Sequence, residues 1–410
     1  MINIICRFRH FSSKIVRNMD KEYRQIDGSH LEGGGQILRN ATVLSSLLNI
    51  PIEVVNIRAG RPRPGLAAQH LHGLYLARDI TNGELLNAEI GSTIIRYRPM
   101  KIMAGTYKTD IRTAGFVVLN FQNNSFCNSS YNYRSITLIL QTAIPLLLYA
   151  NSPSTIEFRG GGTHVPFAPF VNFFTDILPD YLPFMNQIQI HCDRYGFYPQ
   201  GGGHVSCQIN PANLTTPLPL QPIEQIDFGQ LIEIDGFVLI SGQIRRPIAE
   251  ANIRSAMQIF DNQQQIIDNK DRIKITINEC RARNDALAVM FTARTTTNCH
   301  LSVSNLASRR NEMNSDNYGK QVAEKLCHQL QQKCCVDEYV QDQLIIYMAL
   351  AAGTSRIITG EITMHTHTAI WITEQLTGVE FIIKPLKSNN LLNMIECKGI
   401  AYMPETFYPS

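Results

Sequence analysis

The sequence predicts an α/β (α+β) protein with a large body of repeated helix-and-strand units, interrupted once by a smaller α/β unit. Three observations predict it. Triple glycines recur beside strand-like stretches: Gly33-Gly34-Gly35 ahead of a helical pattern, Gly160-Gly161-Gly162 after STIEFR, and Gly201-Gly202-Gly203 before VSCQI. Such recurrence marks a repeated supersecondary unit rather than a single nucleotide loop. From about Pro211 to Asn298 the pattern changes to a strand around FGQLIEIDGFVLISG, a helix from about Ile248 to Gln265, and strands at RIKITINE and ALAVMFTA. That is a β-α-β-β unit between proline-rich and threonine-rich connections, with re-entry into the large body near His300. Finally, 410 residues at 44% hydrophobic and 17% charged can bury a large core.

In chain order, residues 1–24 form an N-terminal extension outside the fold. Its first eighteen residues hold four arginines and lysines and no acid. This suits a mitochondrial presequence, or precedes a start at Met19. Next, Glu32-Gly33-Gly34-Gly35-Gln36 leads into a helix with Ile37, Ala41, Leu44 and Leu48 on one face. A glycine turn opening a helix aims free N–H groups and a positive dipole end at solvent, where an anion can sit. Ile57–His70 then reads IRAGRPRPGLAAQH. There Gly60 and Gly65 permit close backbone approach and Pro62 and Pro64 restrict it, while Arg58, Arg61 and Arg63 offer planar forks for phosphate oxygens. An arginine-rich surface turn is the plain alternative.

Several chemistries are excluded or weakened. No GKS or GKT follows any glycine turn, and none fits GxGxxG between strand and helix, so neither a Walker loop nor a dinucleotide fingerprint is present. A net charge of +3 is too small for a protein that coats a duplex, although a protein gripping only a terminus needs no more. The ten cysteines include no CxxC pair and read as reduced thiols. No apolar run is long enough to span a bilayer.

Two C-terminal helices carry the remaining chemistry. In DEYVQDQLIIYMALAAG, Tyr339, Asp342 and Gln343 fall at i, i+3 and i+4 on one polar face beside the apolar stripe of Val340, Leu344 and Tyr347. A solvated face is the plain reading of that pattern. His365 follows the strand-like SRIITGEIT and opens the helical TAIWITEQL, so its imidazole should lie at a helix N-terminus. The dipole there disfavours the imidazolium and predicts a neutral, nucleophilic nitrogen. His367 is a chemical rival two residues on.

Taken together, EGGGQILR at 32–39, IRAGRPRPGLAAQH at 57–70, AEIGST at 88–93, GGTHVPFAP at 161–169, YGFYPQGGG at 195–203, DEYVQDQL at 337–344 and HTHTAIWITEQL at 365–376 resemble the RNA 3′-terminal phosphate cyclase family, in its catalytic, eukaryotic-type branch. The resemblance covers about Ile26 to about Met403. It implies a large domain over 25–209 and 299–405, made of three β-α-β-α-β-β units, and a small inserted domain over 210–298. It implies ATP and Mg²⁺ (or Mn²⁺) as cofactors and RNA ending in a 3′-phosphate as partner, with no membrane and an oligomeric state left open. Residence in the nucleoplasm is expected, with cytoplasm and mitochondrion as alternatives.

The family's HTxTAI pattern places the nucleophile at His365. By the same matching Gln141, Pro169, Tyr339, Asp342, Gln343, Glu32, Arg39, Arg61 and Gln69 would bind ATP, Arg58 and Arg61 would meet the phosphates and the RNA end, and Glu32 would hold the metal. Arg39 as a surface ion pair and Pro169 as a simple turn residue are the structural alternatives. Two stretches depart from the family. Phe116 to Arg134 is an apparent insertion between Thr113-Ala114-Gly115 and Ser135, without helical periodicity, and LASRRNE at 306–312 lacks the expected glycine-containing basic turn around Arg309 and Arg310. Two other functions keep a place: a non-catalytic relative serving ribosome assembly, and an enolpyruvyl transferase built from similar units.

Overall fold

The computed structural model describes residues 22–111, 135–211, 219–263, 272–307, 312, 315–386 and 389–404. The expectations on residues 1–18, on the insertion at 116–134 and on Arg309 and Arg310 lie outside the described residues. Within them stand eight α-helices and four mixed four-stranded sheets.

The first unit runs β1 (Arg24–Asp27), α1 (Gly35–Leu48), β2 (Ile52–Val55), α2 (Ala68–Thr81), β3 (Glu84–Leu86) and β4 (Ile95–Arg98). Its sheet order is β1-β2-β4-β3, with β1 and β2 parallel and the other pairs antiparallel. Apolar residues at helical spacing, Ile37, Ala41 and Leu44, bury the inner face of α1, and Asn49 stops it in the left-handed conformation. Asn82 ends α2 in the same way.

The second unit repeats this plan. It comprises β5 (Thr106–Asp110), α3 (Ile136–Leu147), β6 (Ser154–Arg159), a π-helical turn Phe173–Ile177 leading into the short α4 (Leu178–Tyr181), then β7 (Ile188–Arg194) and β8 (His204–Ile209). Sheet order β5-β6-β8-β7 reproduces the first unit strand for strand. Here the glycine turns clasp each other. Gly160 N donates to Gly203 O at 2.7 Å and Gly203 N to Gly161 O at 2.8 Å, while Gly201 and Gly202 hold φ of 65° and 86°. A Cβ on Gly196 or Gly203 would run into the Gly161 carbonyl. Only Gly33-Gly34-Gly35, therefore, opens a helix.

The third unit is split. Its β9 (Glu224–Gln225) pairs in parallel with β14 (Ala352–Thr359), which is flanked by β16 (Asn389–Ile400) and then β15 (Phe381–Leu386). Helices α7 (Glu338–Leu350) and α8 (Met364–Thr377) complete it. Between β9 and α7 lies the inserted unit: β10 (Leu231–Ser241), α5 (Arg246–Asp261), β11 (Ile273–Cys280), β12 (Ala286–Thr295), β13 (His300–Ala307) and α6 (Asn317–Gln332).

This corrects the boundary expected at 298/299. Strand β13 pairs antiparallel with β12, as the edge of the inserted sheet, along the register Leu287↔Ala307 to Arg294↔His300. Leu301 and Val303 share a core with Val322, Leu326 and Leu330 of α6. The chain rejoins the repeated body only after Gln332, where Val336 bridges to Thr359. The threonine run at 295–297 is a hairpin turn, closed by Thr295 N donating to Cys299 O at 3.0 Å with Asn298 at φ 62°. A larger core joins the three repeated units, reaching from Ile37 through Phe158 to Ile395.

Candidate active site

Three helix ends, far apart in sequence, converge. At the start of α1, Gly33 turns the chain at φ 57° and Gly34 caps the helix without a side chain, so the first-turn N–H groups gain no side-chain cap. Gly35 is required because a Cβ there would land in the buried imidazole of His70 on α2. At the start of α8, Thr363 accepts from Thr366 N as N-cap and places His365 in the first turn. Asp337 caps α7 by accepting from Tyr339 N and Val340 N.

Glu32, just ahead of the glycine turn, ties these ends together. Its Oε2 forms an ion pair with His365 Nδ1 at 2.9 Å, and its Oε1 takes Arg61 Nη2 at 2.5 Å. Arg61 Nη2 also donates to Glu32 O at 2.9 Å, which seats the arginine-rich loop against the helix opening. Beyond the ion pair, Oε2 has no hydrogen-bond partner among the described residues. Burial works to raise the Glu32 pKa, but His365, Arg61 and Arg39 hold the carboxyl below its ordinary range.

His365 departs from the dipole-based expectation. The Glu32 carboxylate raises its pKa above the ordinary 6.5, against burial and Arg39. A full charge at contact outweighs the roughly half-charge of a helix end. The ring remains exposed, at 55% of its side chain, and Nε2 meets no hydrogen-bonding group among the described residues. With Nδ1 turned to the carboxylate, the lone pair of the neutral ring lies on Nε2. His367, two positions on, points about 200° around the helix at about 100° per residue and lacks this carboxylate.

A chain of side chains leads from here to α7. Arg39 Nη2 donates to Gln36 Oε1 at 2.5 Å, and Gln36 Nε2 donates to Asp342 Oδ2 at 3.2 Å. Burial brings the Arg39 pKa down to about 10 although Asp342 and Glu32 support its charge, and burial raises Asp342 to about 6. Gln343 Nε2 occupies the other Asp342 oxygen at 3.0 Å. A narrow pocket between α1, α3 and α7 is lined by Asn40, Gln141, Phe174, Asp342, Gln343 and Tyr347, among others.

The structure thus places Glu32, Arg39, Arg61, Asp342 and His365 in one charged cluster, and Gln141 with Asp342 and Gln343 in the adjoining pocket. Tyr339 lies one turn before Asp342, edge-on to Phe173 with ring centroids 6.3 Å apart. Pro169 is buried in the loop that leads to the π-helical turn. Arg58 points into its own loop, Nη1 donating to Gly65 O at 3.0 Å, and Gln69 Nε2 lies 3.2 Å from His70 Nε2. Sequence reasoning missed Gln36, Asn40 and His70. Gln36 and His70 sit inside quoted motifs and Asn40 one residue past one, but the Asp342 partner of Gln36 is distant in sequence, and Asn40 Nδ2 and His70 Nδ1 have no hydrogen-bond partner among the described residues.

The family model described as RNA 3′-terminal phosphate cyclase matches residues 30–383, a span that contains the whole cluster. The chain belongs to that family. Among proteins bearing the RNA 3′-terminal phosphate cyclase name, one from Drosophila melanogaster is 36% identical over 384 residues, covering 92% of this chain and 97% of the relative. One from Pyrobaculum aerophilum is 35% identical, covering 92% and 99%. A probable RNA 3′-terminal phosphate cyclase of Dictyostelium discoideum is 34% identical, covering 93% and 83%. The match to these cyclases runs through all four sheets, so the inserted unit is shared territory rather than an addition. No helix among the described residues is long and apolar enough to cross a membrane.

Proposed function

We propose that this chain is an ATP-dependent cyclase that converts an RNA 3′-terminal phosphate to a 2′,3′-cyclic phosphate through a covalent histidine-AMP intermediate. The observation that carries this reading is the Glu32–His365 pair, which unites a bare helix N-terminus, a histidine with an open Nε2 and two arginines.

His365 Nε2 attacks the α-phosphorus of ATP, and the bond to pyrophosphate breaks. Glu32 orients the ring and stabilises the proton on Nδ1 as positive charge develops, while Arg39, Arg61 and the α1 amides stabilise the charge on the phosphates. The RNA 3′-phosphate oxygen then takes AMP from the histidine. The neighbouring 2′-hydroxyl attacks the activated phosphorus, closing the ring and releasing AMP. Among the described residues no group of three His, Cys, Asp or Glu could hold a metal. Glu32, whose Oε2 meets only His365 among the described residues, is the carboxylate that would hold Mg²⁺ or Mn²⁺, and the ion would neutralise charge on the departing pyrophosphate.

Incubation with α-³²P-ATP and Mg²⁺ tests the reading. An acid-labile covalent label, chased by RNA 3′-phosphate into a cyclic end, is the expected result. A ribosome-assembly relative or an enolpyruvyl transferase would take no label.

A further inference from the structure

Asn40 is the residue after Arg39 on α1 and is only 7% exposed. Its Nδ2 has no hydrogen-bond partner among the described residues. Native proteins rarely leave such a donor unpaired, and a ligand atom is one of the few things that explain it. Asn40 lines the pocket shared with Gln141, Phe174, Asp342 and Gln343. With a volume of about 20 Å³ the pocket has room for an atom at the edge of a ring rather than for a whole base, so a base would meet Asn40 edge-on from the pocket mouth. Asp342 belongs to this pocket and, through Gln36 and Arg39, to the charged cluster around His365. A nucleotide with its phosphates at His365 therefore extends its base towards Asn40.

We infer that Asn40 is a specificity-determining residue that donates a hydrogen bond from its side-chain amide to a ring nitrogen of the adenine base; the inference rests on the proposed use of ATP. The neighbouring amide completes the complement. Gln343 spends its Nε2 on Asp342, which leaves Oε1 as its free end, an acceptor. An acceptor beside a donor matches the amine and adjacent ring nitrogen of adenine, whereas guanine presents an oxygen in place of that amine.

The test is the equilibrium affinity of the full chain for α,β-methylene-ATP, measured by calorimetry, together with label transfer from α-³²P-ATP. Asn40→Ala and Asn40→Leu should each weaken binding about tenfold, the range of one lost hydrogen bond with a buried partner. Either 1-deaza- or 7-deaza-ATP should bind the parent about as poorly, and truncating Asn40 should then cost nothing further, whereas 3-deaza-ATP should bind like ATP. Asn40→Asp, an acceptor in place of a donor, should narrow the preference for ATP over GTP. Affinities within twofold of the parent in both truncations, with unchanged melting, overturn the inference, as do truncation and deaza losses that multiply independently. If the variants fail to fold, the parent decides: no loss with either 1-deaza- or 7-deaza-ATP overturns it. A parent that neither binds nor is labelled by ATP overturns the proposed function and this inference together. A labelled parent with indifferent Asn40 variants overturns this inference alone.

Discussion

Gln36→Leu offers the sharpest test of how the site is held. Gln36 is 3% exposed and bridges a cation on its own helix to a carboxylate 306 residues away, accepting from Arg39 at 2.5 Å and donating to Asp342 at 3.2 Å. A hydrogen bond with one ionised partner is worth about 1.5–3 kcal/mol, so the two together reach about 3–6 kcal/mol. Part returns on relaxation, since Arg39 still feels Asp342 and Glu32, and Asp342 keeps the Gln343 donor. A net loss of about 2–3 kcal/mol in transition-state stabilisation corresponds to roughly 30- to 160-fold in kcat/KM for self-labelling. Leucine is a good helix former of similar size, so the melting temperature should move by only a few degrees. Gln36→Glu, which keeps an acceptor for Arg39 but opposes Asp342 with a like charge, should be at least as impaired. A Gln36→Leu protein within threefold of the parent would refute the bridge as a functional element.

His365→Ala should abolish labelling by α-³²P-ATP while His367→Ala retains most of it; the reverse would move the nucleophile to His367. Because Glu32 raises the His365 pKa, labelling should rise with pH through that raised value, and Glu32→Gln should move this acid limb to lower pH, leaving only Asp342 to oppose burial and Arg39. The pair's own contribution to stability is complete just below the ordinary histidine value, fades as pH rises through the raised His365 pKa or falls through the lowered Glu32 pKa, and is absent in the variant; urea melts across pH check it. Arg61→Lys keeps the charge but removes Nη2, the one nitrogen that reaches both Glu32 O and Oε1, together with the remaining guanidinium donors that would meet phosphate, so activity should fall about tenfold or more, as measured by label transfer. Gly35→Ala drives a methyl into the His70 ring and should destabilise the fold by about 1–3 kcal/mol in chemical denaturation.

What the sequence disclosed was what local pattern encodes. The apolar stripes of α1 and α7 follow from spacing, and the glycine opening of α1 follows from Glu32-Gly33-Gly34-Gly35. Strand β13 did not, because Thr295-Thr296-Thr297 resembles a linker until Thr295 and Cys299 are seen to close a hairpin. The upward shift of the His365 pKa also escaped. A helix-end argument uses neighbours in sequence, and the charge that overrides it comes from the other end of the chain. Gln36 carries no local mark of its role for the same reason.

The split of the third unit has a consequence for the order in which a ribosome delivers this protein. The first two sheets are complete once Ile209 has emerged, and domains can fold as they appear. The edge strand β9 must wait through the whole inserted unit before β14 arrives to pair with it. Helix α1 waits longer still, since α8, which packs along it and brings His365 to Glu32, comes near the end of translation. A nascent or truncated chain that already holds the arginine-rich loop thus lacks His365, and under the proposed mechanism such incomplete products would form no histidine-AMP.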